Sequence, residues 1–309
     1  MRPTLILGGG AVGSALAAFL AKAGRKVCLV RCNSECLPLQ YVDITVDNEE
    51  SCLTASVPCI SLDQVEMKDA LIVVTAKSVA NESLAQVMKA RSFQGPLCVL
   101  QNGLHVENPF LQVGITELYR GVLYVTGKKV GEQRVLLRAI QSSLVGVIAG
   151  SENGLTECIE QIDTELMPFS VTKNIQECVW EKTIVNCAFN SICALLEVDN
   201  GVFSRNPSCM KMAESVVHEC IQVANREGVS LQKESVMQKI MRVSMGSRHP
   251  ISTLQDIRRR VQTEIESLNL AVARAAENLC PAVPVPVTRL LGELVQQKSA
   301  LVMEGATLP

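Results

Sequence analysis

Residues 4–31 read TLILGGGAVGSALAAFLAKAGRKVCLVR, and this stretch decides the fold. A short β-type run, Thr4–Leu7, meets three glycines and then an apolar helical run, Ala11–Ala23. A second β-type run, Lys26–Val30, follows. In a strand–turn–helix–strand setting, the spacing Gly8-x-Gly10-x-x-Gly13 has a mechanical meaning. Gly8 permits a tight turn, Gly10 lets the backbone approach a pyrophosphate, and Gly13 lets the helix pack closely on the strand. The anion then lies at the positive end of the helix. Contacts to a dinucleotide are therefore expected from Gly8, Gly9, Gly10, Ala11, Val12 and Gly13.

The second strand run ends in Arg31, where sites that take an unphosphorylated adenosine ribose carry an acidic residue. A carboxylate would repel a 2′-phosphate, whereas a guanidinium pairs with one. The expected cofactor is NADP(H). The bland alternative is a solvated arginine at a strand end.

Outward from this motif, the first half alternates strand and helix patterns. Ala70–Thr75 and Leu97–Leu100 read as strands, and Ser83–Ala90 as a helix. That alternation predicts a parallel sheet built from βαβ units. Lys77 and Asn102 follow two of these strands, at the ends where such sheets bind ligands. Residues 116–150 are less legible: ELYRGVLYVTG and SSLVGVIAG look like strands, with a helix between them. From about Ser170 helical periodicity takes over. NIQECVWEKTIVNCAFNSICALL, NPSCMKMAESVVHECIQVANREG and STLQDIRRRVQTEIESLNLAVARAAENL read as three helices, and a fourth follows PAVPVP at about Val287–Val302. Gly228 is a helix stop, and Ser252 with Gln255 has the spacing of a capping box. The expected fold class is α/β. A Rossmann-type parallel-sheet domain, residues 1–170, binds NADP, and an all-helical domain, residues 171–309, binds substrate and carries catalysis.

Composition narrows the function. The 309 residues are 48% hydrophobic and 19% charged, with net charge −2 and no basic run. Nucleic-acid binding, which leaves a basic footprint, is disfavoured. No uninterrupted apolar run approaches the roughly 20 residues that span a bilayer. The 13 cysteines are scattered without zinc spacing, so free thiols, a cytoplasmic location and no metal are expected. Cys28, Cys32 and Cys36 form the densest group and motivate one rival reading, a nucleotide-binding redox sensor without turnover. A small-molecule substrate is expected. A homodimer is compatible with the sequence and not required by it.

In WEKTIVNCAFNS, Lys182, Asn186 and Asn190 recur every fourth residue. On a helix they share one face, drifting only about 40° per step and spanning about 12 Å. Asparagine is unfavourable in a helix interior because its amide competes for backbone partners. One ammonium and two amides suit a small acid: the ammonium can give a proton and hold an oxyanion, while the amides hold a carboxylate or hydroxyl. The alternative is helix–helix hydrogen bonding, with the lysine reaching out to water.

The order GGGAVG, AKS, QNG, WEKTIVNCAFNSICALLEVDNG and STLQDIRRRVQTEI resembles the ketopantoate reductase family over nearly the whole chain. The last two motifs are the specific ones. The resemblance implies NADPH-dependent reduction of 2-dehydropantoate to pantoate, a step of pantothenate biosynthesis. It implies Lys182 as proton donor and Asn186, Asn190, Asn200 and Ser252 as substrate contacts. Asn102 would touch both cofactor and substrate, with Glu264 beside the nicotinamide and ribose and Lys77 near the nicotinamide end. The departure from the family lies in Gly114–Gly150. There VLYVTGKKVGEQ is shorter than, and unlike, the family's glycine-rich hairpin, and its role is open. A reductase of another branched 2-oxo acid is the nearest alternative.

Overall fold

The computed structural model describes residues 2–32, 37–48, 51–246 and 248–305. The chain divides into two compact units: Met1–Gln101 with Val106–Ile175, and Asn102–His105 with Gln176–Pro309.

In the first unit the elements run β1 (Thr4–Leu7), α1 (Ala11–Lys22), β2 (Val27–Arg31), β3 (Gln40–Asp47), β4 (Cys52–Ser61) and β5 (Leu71–Val74). They continue as α2 (Asn81–Ala90), β6 (Leu97–Val99), α3 (Asn108–Gln112), β7 (Leu118–Val122), β8 (Val125–Lys129) and β9 (Arg134–Ala139). The unit closes with β10 (Ser143–Ala149), α4 (Glu152–Ile162) and β11 (Phe169–Val171). Among the described residues these strands form one sheet in the order β11-β10-β7-β6-β5-β1-β2-β4-β3-β9-β8. Its centre is parallel: β1 lies between β2 and β5, and β6 follows β5. The chain leaves β1 toward β2 and returns on the other side as β5, so the crevice between β1 and β5 is the topological switch point where such sheets take ligands.

Side-chain alternation gives the central strands two dry faces. Ile6 and Val73 join the buried side of α1 in one cluster, while Leu5, Leu7, Ile72 and Val74 join Leu84, Met88 and Phe110 in the other. Burial on both faces explains why β1 and β5 read as unbroken apolar runs. Between β7 and the segment before α3, Arg120 (1% exposed) and Glu107 (2% exposed) form a buried pair, Nε to Oε2 3.4 Å. The Arg120 guanidinium also donates to the Val99 and Gly121 carbonyls, at 3.0 and 2.8 Å.

Two expectations fail here. No helix lies between β7 and β10; the hairpin β8–β9 occupies that stretch. RVLLRA looks helical by composition, yet Val135 and Leu137 are buried and Leu136 is exposed, a period of two. The pair β3–β4 is also absent from the strands that the sequence predicts. Pro58 argues against a strand interior, but β4 pairs with β2 only through Cys59–Ser61, so the missing Pro58 N–H costs that ladder nothing.

In the second unit the helices are α5 (Ile175–Leu196), α6 (Val202–Arg205), α7 (Pro207–Arg226), α8 (Lys233–Gly246), α9 (Ser252–Arg258), α10 (Asn269–Asn278) and α11 (Pro286–Met303). Asn206 caps α7 by accepting from the Ser208 and Cys209 amides, at 2.9 and 3.2 Å, an arrangement that contributes about 1 kcal/mol. Gly228, at φ +83°, ends the segment as its sequence predicts. The helix expected over 252–279 is broken. Arg260 is left-handed at φ +56°, its N–H donates to the Ile257 carbonyl, and the Val261 N–H donates to the Asp256 carbonyl. Those two hydrogen bonds make a Schellman stop, and it falls within three consecutive arginines, Arg258–Arg260. None of the described helices is long and apolar enough to cross a membrane.

Candidate active site

The glycine loop after β1 is shaped by what its residues lack. Gly8 has φ +120°, and a Cβ there would run into the Ala76 backbone. A Cβ on Gly13 would collide with the Gly8 carbonyl oxygen and Thr75 Oγ1. Thr75 braces the turn, its hydroxyl lying 3.2 Å from the Leu7 carbonyl and 3.0 Å from that of Gly8. Gly10 is exposed, caps α1 without a side-chain bond, and stands in open space, where a Cβ would meet nothing within 4 Å. The first turn of α1 contains no acidic residue. Open amides at a positive helix end, reached over glycines, fit a dinucleotide pyrophosphate.

Arg31, at the end of β2, lies over this loop: a Cβ on Gly9 would stand 2.9 Å from its Nη1. Gln101, just after β6, donates to the Ala76 carbonyl (2.7 Å) and exchanges bonds with the Asn81 side chain (2.7 and 2.8 Å). That network fixes the segment carrying Lys77, which precedes the 3-10 turn Ser78–Ala80. The hairpin β8–β9 also reaches the loop, because a Cβ on Gly127 would stand 3.5 Å from that of Ala11. Sequence alone assigns this hairpin no role.

In the second unit, α5 is one continuous helix through Lys182, Asn186 and Asn190, so the three share a face. Lys182 and Asn186 are half-buried and Asn190 is buried. The opposite side of the helix is dry core, with Ile184, Cys187, Ala188 and Ile192 at 1% exposure or less. Asn102 donates to Glu264 Oε2 at 3.3 Å. Its loop is fastened by the Leu104 amide on the Ser267 carbonyl (2.8 Å) and by His105 with Glu227 (3.0 Å). The Asn269 amide, just beyond, donates to the Cys187 carbonyl at 3.3 Å, one residue past Asn186. The Asn200 amide donates to the His249 carbonyl (3.2 Å), and its carbonyl accepts from Ser244 (2.8 Å), which places Asn200 by the segment leading to Ser252.

Ser252 is not the cap that its spacing suggests. Ile251 holds the N-cap position of α9 with no side-chain bond, and Gln255 turns back to the Pro250 carbonyl at 2.8 Å. The exposed Ser252 hydroxyl is thereby left for other work.

The chain matches the family model "Ketopantoate reductase PanE/ApbA" over residues 4–150 and its C-terminal counterpart over residues 174–299. It belongs to the ketopantoate reductase family. A 2-dehydropantoate 2-reductase of Halobacterium salinarum is 30% identical over 94% of this chain and 97% of its own. A D-mandelate dehydrogenase solved with NADH and anilino(oxo)acetate superposes with TM-score 0.84 at 22% identity, covering 97% and 99% of the two chains. A ketopantoate reductase of Ralstonia eutropha does so with TM-score 0.83 at 24% identity and the same coverage. At those identities the two structures speak for the fold.

As a ketopantoate reductase family member the chain is an oxidoreductase, and most of its described thiols are buried or half-buried, Cys52 and Cys280 being exposed. The described cysteines are free. Burial, with Cys59 adding to it, pushes the Cys28 thiol up to about 11, and burial does the same to Cys32. Such thiols carry little thiolate near neutrality, which argues against a redox sensor built on them. Cys36 lies outside the described residues. No group of histidine, cysteine and acidic side chains suited to a metal occurs among the described residues.

Proposed function

We propose that this chain reduces 2-dehydropantoate to pantoate with NADPH, in the cytoplasm. The observation that carries the reading is the polar face of α5, where Lys182, Asn186 and Asn190 recur at four-residue spacing beside the buried apolar residues Ile184, Cys187, Ala188 and Ile192. In this reading the first unit would hold the nucleotide at Gly8–Gly13 with Arg31 at the adenosine end and Lys77 near the nicotinamide, which the Arg31 side chain lying over Gly9 supports at the adenosine end. NADPH, when bound, supplies a hydride to the 2-oxo carbon. Lys182 holds the carbonyl oxygen as negative charge builds on it and gives that oxygen its proton. Asn186, Asn190, Asn200 and Ser252 hold the carboxylate and hydroxyl groups of the acid. Asn102, bonded to Glu264, orients substrate against the nicotinamide ribose.

Turnover followed by loss of NADPH absorbance, against a panel of 2-oxo acids, tests this. The highest kcat/KM is expected for 2-dehydropantoate. A second reading, reduction of a different branched or aryl 2-oxo acid, is favoured by the likeness to D-mandelate dehydrogenase, and a higher kcat/KM on such an acid would select it. Binding of NADPH without consumption on any acid would sink both.

A further inference from the structure

We propose that Lys129 is a second specificity cation beside Arg31, the two gripping the 2′-phosphate of the adenosine ribose from opposite walls. This rests on the NADPH reading above and adds to it a residue from the hairpin that the sequence leaves unexplained.

Register places the side chain. In an antiparallel pair, residues directly opposite each other project to the same face. Lys129 is opposite Val135, and Gly127 is opposite Leu137. Val135 and Leu137 are buried in the cluster that contains the core side of α1, so Lys129 projects toward α1 as well. Gly127, two residues earlier on that face, abuts Ala11 in the first turn of α1. Arg31 lies over Gly9, two residues before Ala11. Both cations are half-buried. The preceding residue, Lys128, projects the other way, opposite exposed Leu136.

The hairpin is held in place for this. Arg134 grips Asp47 through two bonds, 2.6 and 3.1 Å, and the Val130 and Gly131 amides close the turn on the Arg134 carbonyl. Strand β9 also extends the sheet against β3. The Lys129 ammonium is held below its ordinary range, first by burial and then by the Arg31 guanidinium, while Glu132 opposes that shift. Two cations brought close enough to disfavour each other, beside a phosphate-binding loop, are relieved when a dianion sits between them. Gly127 keeps the wall low over α1, so that the lysine stem can extend past it.

The test is titration of the intact protein with 2′,5′-ADP and with 5′-AMP, two probes that differ by the 2′-phosphate alone. Wild type should prefer 2′,5′-ADP. Lys129→Met, which keeps the apolar stem, should weaken 2′,5′-ADP binding about tenfold and leave 5′-AMP unchanged. Lys129→Arg should restore most of the loss, and Lys128→Met should change neither ligand. Thermal melts check that each variant is folded. If wild type shows no preference between the probes, the NADPH reading itself fails. If wild type prefers 2′,5′-ADP but Lys129→Met leaves both affinities unchanged or lowers both equally, Lys129 is not in the grip and the NADPH reading stands. An equal loss from Lys128→Met would also overturn the proposal, since it would reduce the effect to general surface charge.

Discussion

The glycine loop after β1 and the middle of α5 are both polar places in apolar surroundings, built in opposite ways. In the loop, side chains must be missing: a Cβ at Gly8 or Gly13 strikes backbone, and the groups offered to a ligand are amides at an uncapped helix start. On α5 the backbone is fully used within the helix, and the offered groups are side chains at four-residue spacing. A backbone site tolerates almost no change where a Cβ would strike backbone, at Gly8 and Gly13, but reads nothing beyond charge and shape. A side-chain site leaves the helix intact when altered and can separate binding from chemistry.

The largest effect that would sharpen this contrast is at Lys182. Lys182→Ala should lower kcat and kcat/KM together by on the order of 10²–10⁴, with NADPH affinity and the melting temperature nearly unchanged. Steady-state kinetics with NADPH titration decides it, and a near-normal kcat would return the stripe to helix packing.

The contrast also requires that the first unit lend no fast nucleophile. With Cys28 and Cys32 raised from 9.0 to about 11, alkylation near pH 8 should be roughly a hundredfold slower than for an unperturbed thiol. Free cysteine in the same buffer is the reference. The same shift has a stability consequence. The folded thiols keep their protons longer than the unfolded ones, so their contribution is whole below pH 9 and is lost as pH rises toward about 11. Melting curves across that range should show the fall.

Asn186→Ala or Asn190→Ala should raise KM by about 10- to 100-fold, the loss of one bond to a charged group, with a smaller change in kcat. An equal fall in kcat for both would break the division between the holding amides and the acting ammonium.

Within the loop, Gly13→Ala should cost about 1–3 kcal/mol through overpacking, whereas Gly10→Ala should stay within about 0.5 kcal/mol. Denaturant curves compare them, and equal costs would refute the shape argument. The smallest effect is at Ser252. Since its hydroxyl does not cap α9, Ser252→Ala should change stability by less than about 0.5 kcal/mol, where loss of a true cap costs about 1.

Legibility follows the same division. The loop is readable because steric exclusion leaves glycine as the one residue type at Gly8 and Gly13, and β1 and β5 are readable because both faces are dry. The α5 stripe is readable because helical period converts spacing directly into a shared face. The hairpin β8–β9 is not, since its period-two pattern is only six residues long and its polar side is charged on a helix-like composition. Nor is the buried Arg120–Glu107 pair: an arginine inside LYRGV carries no local mark of a partner thirteen residues upstream in another element. Ser252 shows the reverse failure, where a valid spacing is satisfied by different atoms, Gln255 on Pro250.

Residues Asn102–His105 belong to the second unit although both of their sequence flanks belong to the first. The polypeptide therefore passes from one unit to the other three times, and no single cut separates them. A gene fragment ending near residue 170 would carry this loop without Ser267, Glu264 and Glu227, its bonding partners. Chimaeras between relatives face the same constraint. A helical half exchanged without these four residues inherits a foreign Asn102, so recombination should treat the tetrapeptide and the helical half as one heritable piece.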